Sequence, residues 1–487
     1  MKRVNYFAFS AALMMAAACS EPLDEVADEA APQNDAGILV TLSPEELGFL
    51  TELSNGTPKI SVDSAAKVAM MVMGNGNTLS KRSLSVTAFG TPKSTSLTKS
   101  FTDSDIDTTF YVFNATNDNG FAVISADARI PQQVLAFSET GNIELDSDSP
   151  TFDVFLDYAQ NYAADCIAKA QEQRDSIINS IYEKFGITLD LDSANSLSKT
   201  KRVIQRFLLT CQCYTNTNIK IISEVKPLIK THWHQRTPYN DNIYGKKCDN
   251  GYAAGCVAIA TAQLMAFWHH PQILNGIEFD WNILCDDSKI GTPKYNYQAA
   301  SLVAIVGNGV KMDYDCNESL ADVHNAVKLL GKLQYHIPNQ LYDYKYDKVV
   351  NCLNHGRPVL MNGYETKKNW IIFKTYKDGH TWLADGYVNQ RITVSNSLTY
   401  VVVEIDDETG RGSCRFEKKS GVMTTTVNQY LHFNWGWRTN SSGYYNKAVF
   451  DSKQKYEMAP DGRYVLTTAP DIANIKYNLE FADNIYK

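Results

Sequence analysis

A buried helix that begins at a cysteine is the feature that most constrains the fold of this chain. Residues 257–268 combine good helix formers with apolar side chains on nearly every face, and a helix of that kind lies in a protein interior. His269-His270-Pro271 follows, and proline ends helices. The sequence therefore predicts a buried helix with Cys256 at or next to its N-terminus.

Cys256 in that position is suited to nucleophilic chemistry. The helix dipole and the free amides of the first turn stabilise a thiolate and lower the pKa of the thiol. Small residues such as Ala254 and Gly255 precede it and allow a substrate to approach the sulfur. A buried structural cysteine is the other interpretation, because that is the commoner fate of a lone cysteine. The local sequence supports both equally.

The composition excludes several classes of protein. The 487 residues are 44% hydrophobic and 21% charged, which is ordinary for a globular protein and excludes a wholly disordered chain. A collagen-like chain is excluded by the glycine and proline counts of 27 and 15. The net charge of −8 provides no basic field for nucleic acid, so we expect no nucleic-acid partner.

The first residues have the pattern of an export signal. The apolar or small stretch at 7–18 is too short to span about 30 Å of hydrocarbon. Ala16-Ala17-Ala18-Cys19 is similar to the lipobox of bacterial lipoproteins, in which the cysteine is lipidated and becomes the mature N-terminus. We expect residues 1–18 to be a lipoprotein signal peptide and Cys19 to carry the lipid anchor of an exported, outer-membrane lipoprotein that faces the periplasm or the outside. An ordinary signal peptide followed by an incidental cysteine is the alternative.

An acidic tether at 19–40 leads into an N-terminal unit without a visible catalytic set. A Ser-, Thr- and Lys-rich stretch at 79–104 predicts a long loop within it. Spacing and turn signals predict the regular elements. These are a helix at 61–73, a β-hairpin from the runs at 110–113 and 121–124, and one or two helices at 152–185.

A basic, serine-rich segment at 193–206 divides the chain. It contains Lys199, Lys201 and Arg202, and basic residues in an exposed linker suit proteolytic nicking. A solvated surface turn is an equal alternative. The chemistry lies beyond this segment.

A thiol nucleophile requires a proton acceptor and an orienting partner, and two histidines fit. His380 lies in a predicted short strand between glycines, whereas His432 shares a strand face with Asn434. The pattern favours His380. His232 and His234 are spaced for one strand face but have no matching third ligand, so we predict no metal site and no cofactor.

At this point the chain resembles the streptopain family, which consists of bacterial papain-like cysteine peptidases made as zymogens. In chain order the matching blocks are Gln235-Arg236-Thr237-Pro238-Tyr239-Asn240, Gly255-Cys256-Val257-Ala258 with Thr261-Ala262-Gln263, Gly379-His380 with Asp385-Gly386, and Asn434-Trp435-Gly436-Trp437. Residues 120–127 resemble part of the streptopain propeptide. The resemblance implies an α+β fold, with a papain-like catalytic domain at 206–487, built from a helical part and an antiparallel β part. An α+β inhibitory propeptide domain at 41–205 would precede it.

The resemblance also implies the site residues. Cys256 would attack the scissile carbonyl, and His380 would form the ion pair and protonate the leaving amine. Asn434 would accept a hydrogen bond from the imidazole, and Trp435 would cover that contact, unless it is only a core aromatic residue. The amide of Gln235 and the backbone N–H of Cys256 would donate to the oxyanion. The implied partners are protein or peptide substrates and the chain's own propeptide as an intramolecular inhibitor.

The chain departs from the family pattern in two places. Residues 387–430 are longer than expected and predict an extra hairpin that could reshape the substrate cleft, and Arg438-Thr439-Asn440 replaces glycine-rich sequence. Two other functions remain open. One is a catalytically silent lipoprotein that binds or inhibits another peptidase. The other is a thiol acyltransferase or amidase, because Cys-His-Asn supports several acyl acceptors.

Overall fold

The computed structural model places most of the chain beyond residue 40. It describes residues 41–55, 57–74, 84–92, 106–143, 151–185, 203–244, 248–338, 340–368, 374–405, 412–451, 456–458, 464–466 and 476–487. The predicted signal peptide, Cys19 and the acidic tether lie outside the described residues.

The helices and strands are numbered in chain order. The helices are α1 Pro44–Asn55, α2 Val62–Met73, α3 Thr151–Glu172, α4 Arg174–Phe185, α5 Cys256–Trp268, α6 Trp281–Leu284, α7 Pro293–Gly309, α8 Val323–Lys332, α9 Tyr346–Asn354 and α10 Lys447–Asp451. The strands are β1 Thr41–Leu42, β2 Leu84–Pro92, β3 Ile106–Ala115, β4 Phe121–Ser125, β5 Val134–Ser138, β6 Val203–Val225, β7 Ile273–Leu274, β8 Ile277–Glu278, β9 Tyr342–Asp343, β10 Val359–Lys368, β11 Lys374–Ile405, β12 Gly412–Asn434, β13 Gly443–Asn446, β14 Tyr456–Met458, β15 Tyr464–Leu466 and β16 Lys476–Ala482.

Most of the elements predicted for the N-terminal unit, residues 41–185, are confirmed. The predicted helix at 61–73 is α2, where the Ser61 side chain accepts a hydrogen bond from the Ser64 amide and caps the first turn. The predicted hairpin is β3 and β4, and the pattern at 152–185 forms α3 and α4. The long loop predicted at 79–104 is wrong in part, because it contains β2. That strand lies at one end of the sheet with mostly exposed side chains, so its polar composition does not distinguish it from a loop.

One antiparallel sheet runs through both halves of the chain. Its order is β2-β3-β4-β5-β13-β12-β11-β10-β16-β9. The two halves join where β5 pairs with β13, in the register Phe137↔Tyr444 and Ala136↔Tyr445. The two predicted units are therefore not separate bodies, because they share a sheet.

A β arm extends this sheet where the sequence departs from the family pattern. The predicted extra hairpin is confirmed, because β11 and β12 pair from Leu383↔Asn434 to Ile405↔Gly412. Strand β6 pairs with the other edge of β11. We call residues 203–225, 387–405 and 412–430 the β arm. The N-terminal unit also reaches the arm, since β1 pairs in parallel with β12.

Strand β6 corrects the predicted linker. The linker was predicted at 193–206 and the domain boundary between 205 and 206, but β6 begins at Val203 and pairs with β11 as far as Val225. The end of the predicted linker and the predicted domain boundary therefore fall inside β6. The backbone of a paired strand is tied into the sheet and is a poor substrate for nicking. The rest of the predicted linker, residues 193–202, lies outside the described residues.

Two hydrophobic cores lie on the two faces of β11. Trp382 and Ala384 belong to a core that includes Phe155 and Tyr158 of α3. Leu383 belongs to a second core, built around α5 and completed by α7 and α8. Alternate residues of a strand point to opposite faces. Strand β11 therefore separates the helical part of the catalytic half from the core shared with the N-terminal unit.

Within the part of the chain described, no helix has the length and apolar character needed to cross a membrane. The same residues contain no group of three or more His, Cys, Asp and Glu side chains that could hold a metal ion.

Candidate active site

Cys256 is the first residue of α5, as predicted. Gly255 precedes it with φ +86°, and a Cβ atom at this glycine would lie 2.5 Å from the Met312 side chain and 3.1 Å from the Ser319 carbonyl oxygen. Only glycine fits this turn, because both the backbone conformation and the space exclude a side chain. No side chain caps the helix, so the amides of Cys256 and Val257 are available to the sulfur, and both hydrogen-bond to it.

The expected lowering of the thiol pKa is not observed. Burial raises the pKa of Cys256 to about 11, although the backbone N–H of Thr381 hydrogen-bonds to the sulfur and acts in the opposite direction. The free-energy cost of removing a thiolate from water is larger than the stabilisation that the helix N-terminus provides. Thr381 is the neighbour of His380, so this contact also places the two predicted catalytic residues at one site.

His380 is buried on β11 and is oriented by a backbone carbonyl. Its Nε2 lies 2.9 Å from the Trp435 carbonyl oxygen, and its ring packs near those of Trp382 and Trp435. A carbonyl oxygen only accepts hydrogen bonds, so Nε2 carries the proton and Nδ1 is the basic nitrogen. Burial lowers the pKa of His380 to about 4.

Asn434 does not make the contact that the sequence predicted. Its Oδ1 accepts from the Gln263 side chain at 3.2 Å and from the Gly436 amide at 3.1 Å, and its Nδ2 donates to the Thr231 carbonyl at 2.9 Å. Buried backbone groups at the end of β12 need partners, and Asn434 supplies them. The orienting contact to His380 comes from Trp435, the next residue.

Trp435 is a core aromatic residue that also lies beside the imidazole, although the Asn434–His380 contact it was predicted to cover is not made. Its side chain is 1% exposed and packs in the core against Trp382, with ring centroids 4.6 Å apart. Its ring centroid also lies 5.8 Å from that of His380. The same residue therefore covers the imidazole and supplies the carbonyl that holds it.

Gln235 is anchored beside the nucleophile. Its Oε1 accepts from the Gly255 amide at 3.0 Å, and its backbone carbonyl accepts from the Ala254 amide at 3.0 Å. The side-chain oxygen is therefore occupied, which leaves the Nε2 end as the donor. That amide group is the end that the predicted oxyanion-hole role would use.

His432, the rival base, is bound elsewhere. Its Nδ1 lies 2.6 Å from Oδ1 of Asp385, whose other oxygen accepts from the Ile229 amide. Its ring also packs against Tyr444 of β13. This histidine therefore forms a partly buried pair with Asp385 near the junction of the two halves.

Gln263 lies within one of the sequence blocks that resemble the family, and no role was predicted for it. It is 0% exposed, and its side chain joins α5 to Thr231, Trp233 and Asn434. A signal was available, because Thr261 and Gln263 are the polar residues in the otherwise apolar run at 257–268. A buried amide must find partners.

A disulfide closes the region around the nucleophile. Cys248 pairs with Cys316 across a separation of 68 residues. Nearby, the Ser319 hydroxyl donates to the Ala253 carbonyl at 2.7 Å, and Arg236 donates to the Cys316 carbonyl at 2.9 Å. The segment before Cys256 is thus fixed on both sides.

Comparison with known proteins identifies two domains. Residues 233–445 match the Peptidase C10 family, and residues 57–163 match the Spi protease inhibitor family. No curated protein matches the chain. Among solved structures, the chain is similar to a fragment of Prevotella intermedia prointerpain A, with 19% identity over 78% of this chain and 96% of that one and a TM-score of 0.43. It is also similar to active interpain A cysteine protease of that organism, with 19% identity over 55% and 97% of the two chains and a TM-score of 0.32.

The chain thus carries a cysteine peptidase domain of the C10, or streptopain, family behind a domain like the Spi inhibitor. The predicted resemblance to the streptopain family, with an inhibitor-like domain before the peptidase domain, is confirmed.

Proposed function

We propose that this chain, a peptidase C10 domain behind a Spi-inhibitor-like domain, is an exported endopeptidase zymogen that uses Cys256 and His380. The observation that supports it best is the clustering of three groups at the start of α5. These are the thiol of Cys256, the Gln235 amide held by Gly255, and the strand segment that presents His380.

The chemistry follows from the hydrogen bonds. His380 keeps its Nε2 proton on the Trp435 carbonyl, so Nδ1 takes the thiol proton as the sulfur attacks the substrate carbonyl carbon. The oxyanion receives hydrogen bonds from the Gln235 amide and the Cys256 backbone N–H. The imidazolium then gives its proton to the leaving amine, and water hydrolyses the thioester with His380 as base.

The N-terminal unit acts as the intramolecular inhibitor. Its helix α3 packs against the core beside His380, where Phe155 contacts Tyr445 with ring centroids 4.8 Å apart. In the intact chain the thiol pKa of about 11 lies above the imidazole pKa of about 4. Burial thus disfavours the thiolate–imidazolium pair, so we expect the intact chain to be weakly active.

The protein is also a lipoprotein attached through Cys19 and directed to the outer membrane. The support is the small-residue sequence before Cys19 and the short apolar stretch. The test is the Cys19→Ser variant, followed by membrane fractionation and mass analysis of the N-terminal peptide. Release from the membrane, or failure of signal removal, is expected. Unchanged detergent partitioning without an acyl mass would refute the anchor.

The peptidase assignment is tested with purified full-length protein and its Cys256→Ala variant, each incubated with unfolded casein. Mass mapping of casein and enzyme should show cuts with the wild type and none with the variant. A thiol-directed probe that fails to label Cys256 after removal of the N-terminal unit would favour the silent binding protein. Deamidation or transfer on glutamine substrates without cut peptides would favour the acyltransferase.

A further inference from the structure

We propose that Gln263 is a positioning residue of the active site, which fixes α5 against the segments that carry the oxyanion donor and the carbonyl that orients His380. This inference rests on the peptidase function proposed above. It assigns a role to a residue that touches neither the substrate nor the reacting atoms.

Gln263 lies on the same face of α5 as Cys256. Seven residues separate them, which is two helical turns or about 10 Å along the axis. Its side chain is 0% exposed, and almost all the other residues of the helix are apolar. A primary amide at such a site is costly unless all its hydrogen-bonding groups are used.

The first contact of Gln263 holds the segment that leads to Gln235. Its Oε1 accepts from the Thr231 hydroxyl at 3.0 Å and from the Trp233 amide at 3.1 Å. The chain continues from Thr231 and Trp233 to Gln235, whose side chain is in turn hydrogen-bonded to the Gly255 amide. The segment with the oxyanion donor is therefore fixed to α5 at two points, one beside the nucleophile and one two turns later.

The second contact holds the turn after β12. The Gln263 Nε2 donates to Asn434 Oδ1 at 3.2 Å, and the same oxygen accepts from the Gly436 amide at 3.1 Å. Gly436 has φ +77°, and a Cβ atom there would lie 3.0 Å from the Ile259 side chain on α5. Trp435 lies between these two anchored residues, so its carbonyl toward His380 is set by the network.

The network also explains why Asn434 belongs to the site without touching the imidazole. Asn434 is 2% exposed and connects Gln263 to the Thr231 carbonyl and the Gly436 amide. Its effect on catalysis passes through the Trp435 carbonyl. Gln263 and Asn434 therefore act as one unit, and their substitutions should not be additive.

The test is Gln263→Glu in the full-length chain, assayed after removal of the N-terminal unit. The carboxylate keeps an acceptor for Thr231 and Trp233 but cannot donate to Asn434 while it is ionised. Because burial raises the pKa of the new carboxyl, the pH profile is extended to pH 9, where we expect kcat to be about 10- to 100-fold below that of the wild type, with KM changed less than about threefold, because a shift of about 1 Å at the reacting groups has an effect of that order. At acid pH the protonated carboxyl again donates, so kcat relative to the wild type should recover.

The matched control is Gln298→Glu. Gln298 of α7 is also buried, and it also accepts from a backbone amide, that of Asp280, and donates to an oxygen, the carbonyl of Glu278. Its contacts lie outside the catalytic network. The control should lose as much stability as Gln263→Glu and keep kcat within about twofold.

The outcomes separate the proposals. An inactive wild type refutes the peptidase function itself. An active wild type with a folded Gln263→Glu variant that keeps its kcat, or that loses it without recovery at acid pH, refutes the positioning role. If Gln263→Glu does not fold, Thr231→Val decides, because it removes only the hydroxyl. A fall in kcat of about three- to tenfold with unchanged KM supports the proposal, and an unchanged kcat overturns it.

Discussion

Phe155 provides the sharpest test of autoinhibition, because its ring lies between the N-terminal unit and the catalytic half. It is 0% exposed, and its ring centroid lies 4.8 Å from that of Tyr445 and 6.4 Å from that of Phe450. Both partners come after the predicted linker. Phe155→Ala should therefore weaken the association of the two halves and increase the activity of the intact chain.

The magnitude follows from the burial of the ring. Truncating a buried phenylalanine to alanine costs about 3–5 kcal/mol. Since the contacting rings belong to the other half, we assign most of this loss to association. At about 1.4 kcal/mol per factor of ten, the dissociation constant between the cut halves should rise about 100- to 1000-fold.

The assay uses a chain with a cleavage site for an added protease between 186 and 202, in a Cys256→Ala background that prevents self-cleavage. After the cut, the two fragments should co-elute in size-exclusion chromatography at micromolar concentration. With Phe155→Ala they should separate. In the chain that retains Cys256, Phe155→Ala should convert a weakly active intact protein into a more active one.

The control is Phe110→Ala. Phe110 is equally buried, but its ring stacks on Phe89 of the same unit, with centroids 5.8 Å apart. It should destabilise the N-terminal unit without removing a ring contact between the halves. Co-elution of the cut Phe155→Ala fragments, or equal separation with both variants while the fragments remain folded by circular dichroism, would refute the reasoning.

Three other predictions concern the catalytic half. His380→Ala should abolish casein cleavage by the protein freed of its N-terminal unit, whereas His432→Ala should retain it; the reverse result would exchange their roles. In the intact chain, where the thiol pKa is raised to about 11, alkylation of Cys256 should be slow at pH 7 and rise about tenfold per pH unit towards pH 11; a plateau below pH 9 would contradict the raised pKa. Replacing Cys248 and Cys316 by serine opens a loop of 68 residues and should cost about 4 kcal/mol of unfolding free energy, measured by guanidinium unfolding; an unchanged midpoint would contradict this.

Elements with a local signal could be predicted from the sequence. The apolar run at 257–268 indicated α5 and placed Cys256 at its start, and helical spacing indicated α2, α3 and α4. These patterns depend on neighbours within one or two turns. The extra hairpin was also predictable, because its β-branched composition stands out within the catalytic half.

Pairings between distant segments could not be predicted in the same way. Only the first residues of β6, 203–206, were interpreted, as part of a linker, since nothing within residues 203–225 specifies that the strand pairs with β11. The junction of β5 with β13 likewise depends on residues about 300 positions apart. Each strand pattern is visible locally, but the choice of partner is made by the whole fold.

The error at Asn434 has a different origin. A side-chain amide can be recognised in a sequence, whereas a backbone carbonyl belongs to every residue and leaves no signal. The acceptor for His380 is such a carbonyl, that of Trp435. The burial that raises the pKa of the Cys256 thiol is equally hidden, because it arises from elements brought together by the fold.

These connections determine what activation requires. A cut before Val203 leaves β6 in the β arm of the catalytic half, since β6 is paired with β11 along its length. The N-terminal unit would remain attached through β5 and β13, through the shared core, and through β1 on β12. Cutting the tether removes only the high effective concentration of the N-terminal unit at the catalytic half, which is about millimolar for a short linker. The contacts between the two halves stay in place. Release of the unit, by dilution or by its own degradation, is therefore a separate step, and we expect activation to depend on it.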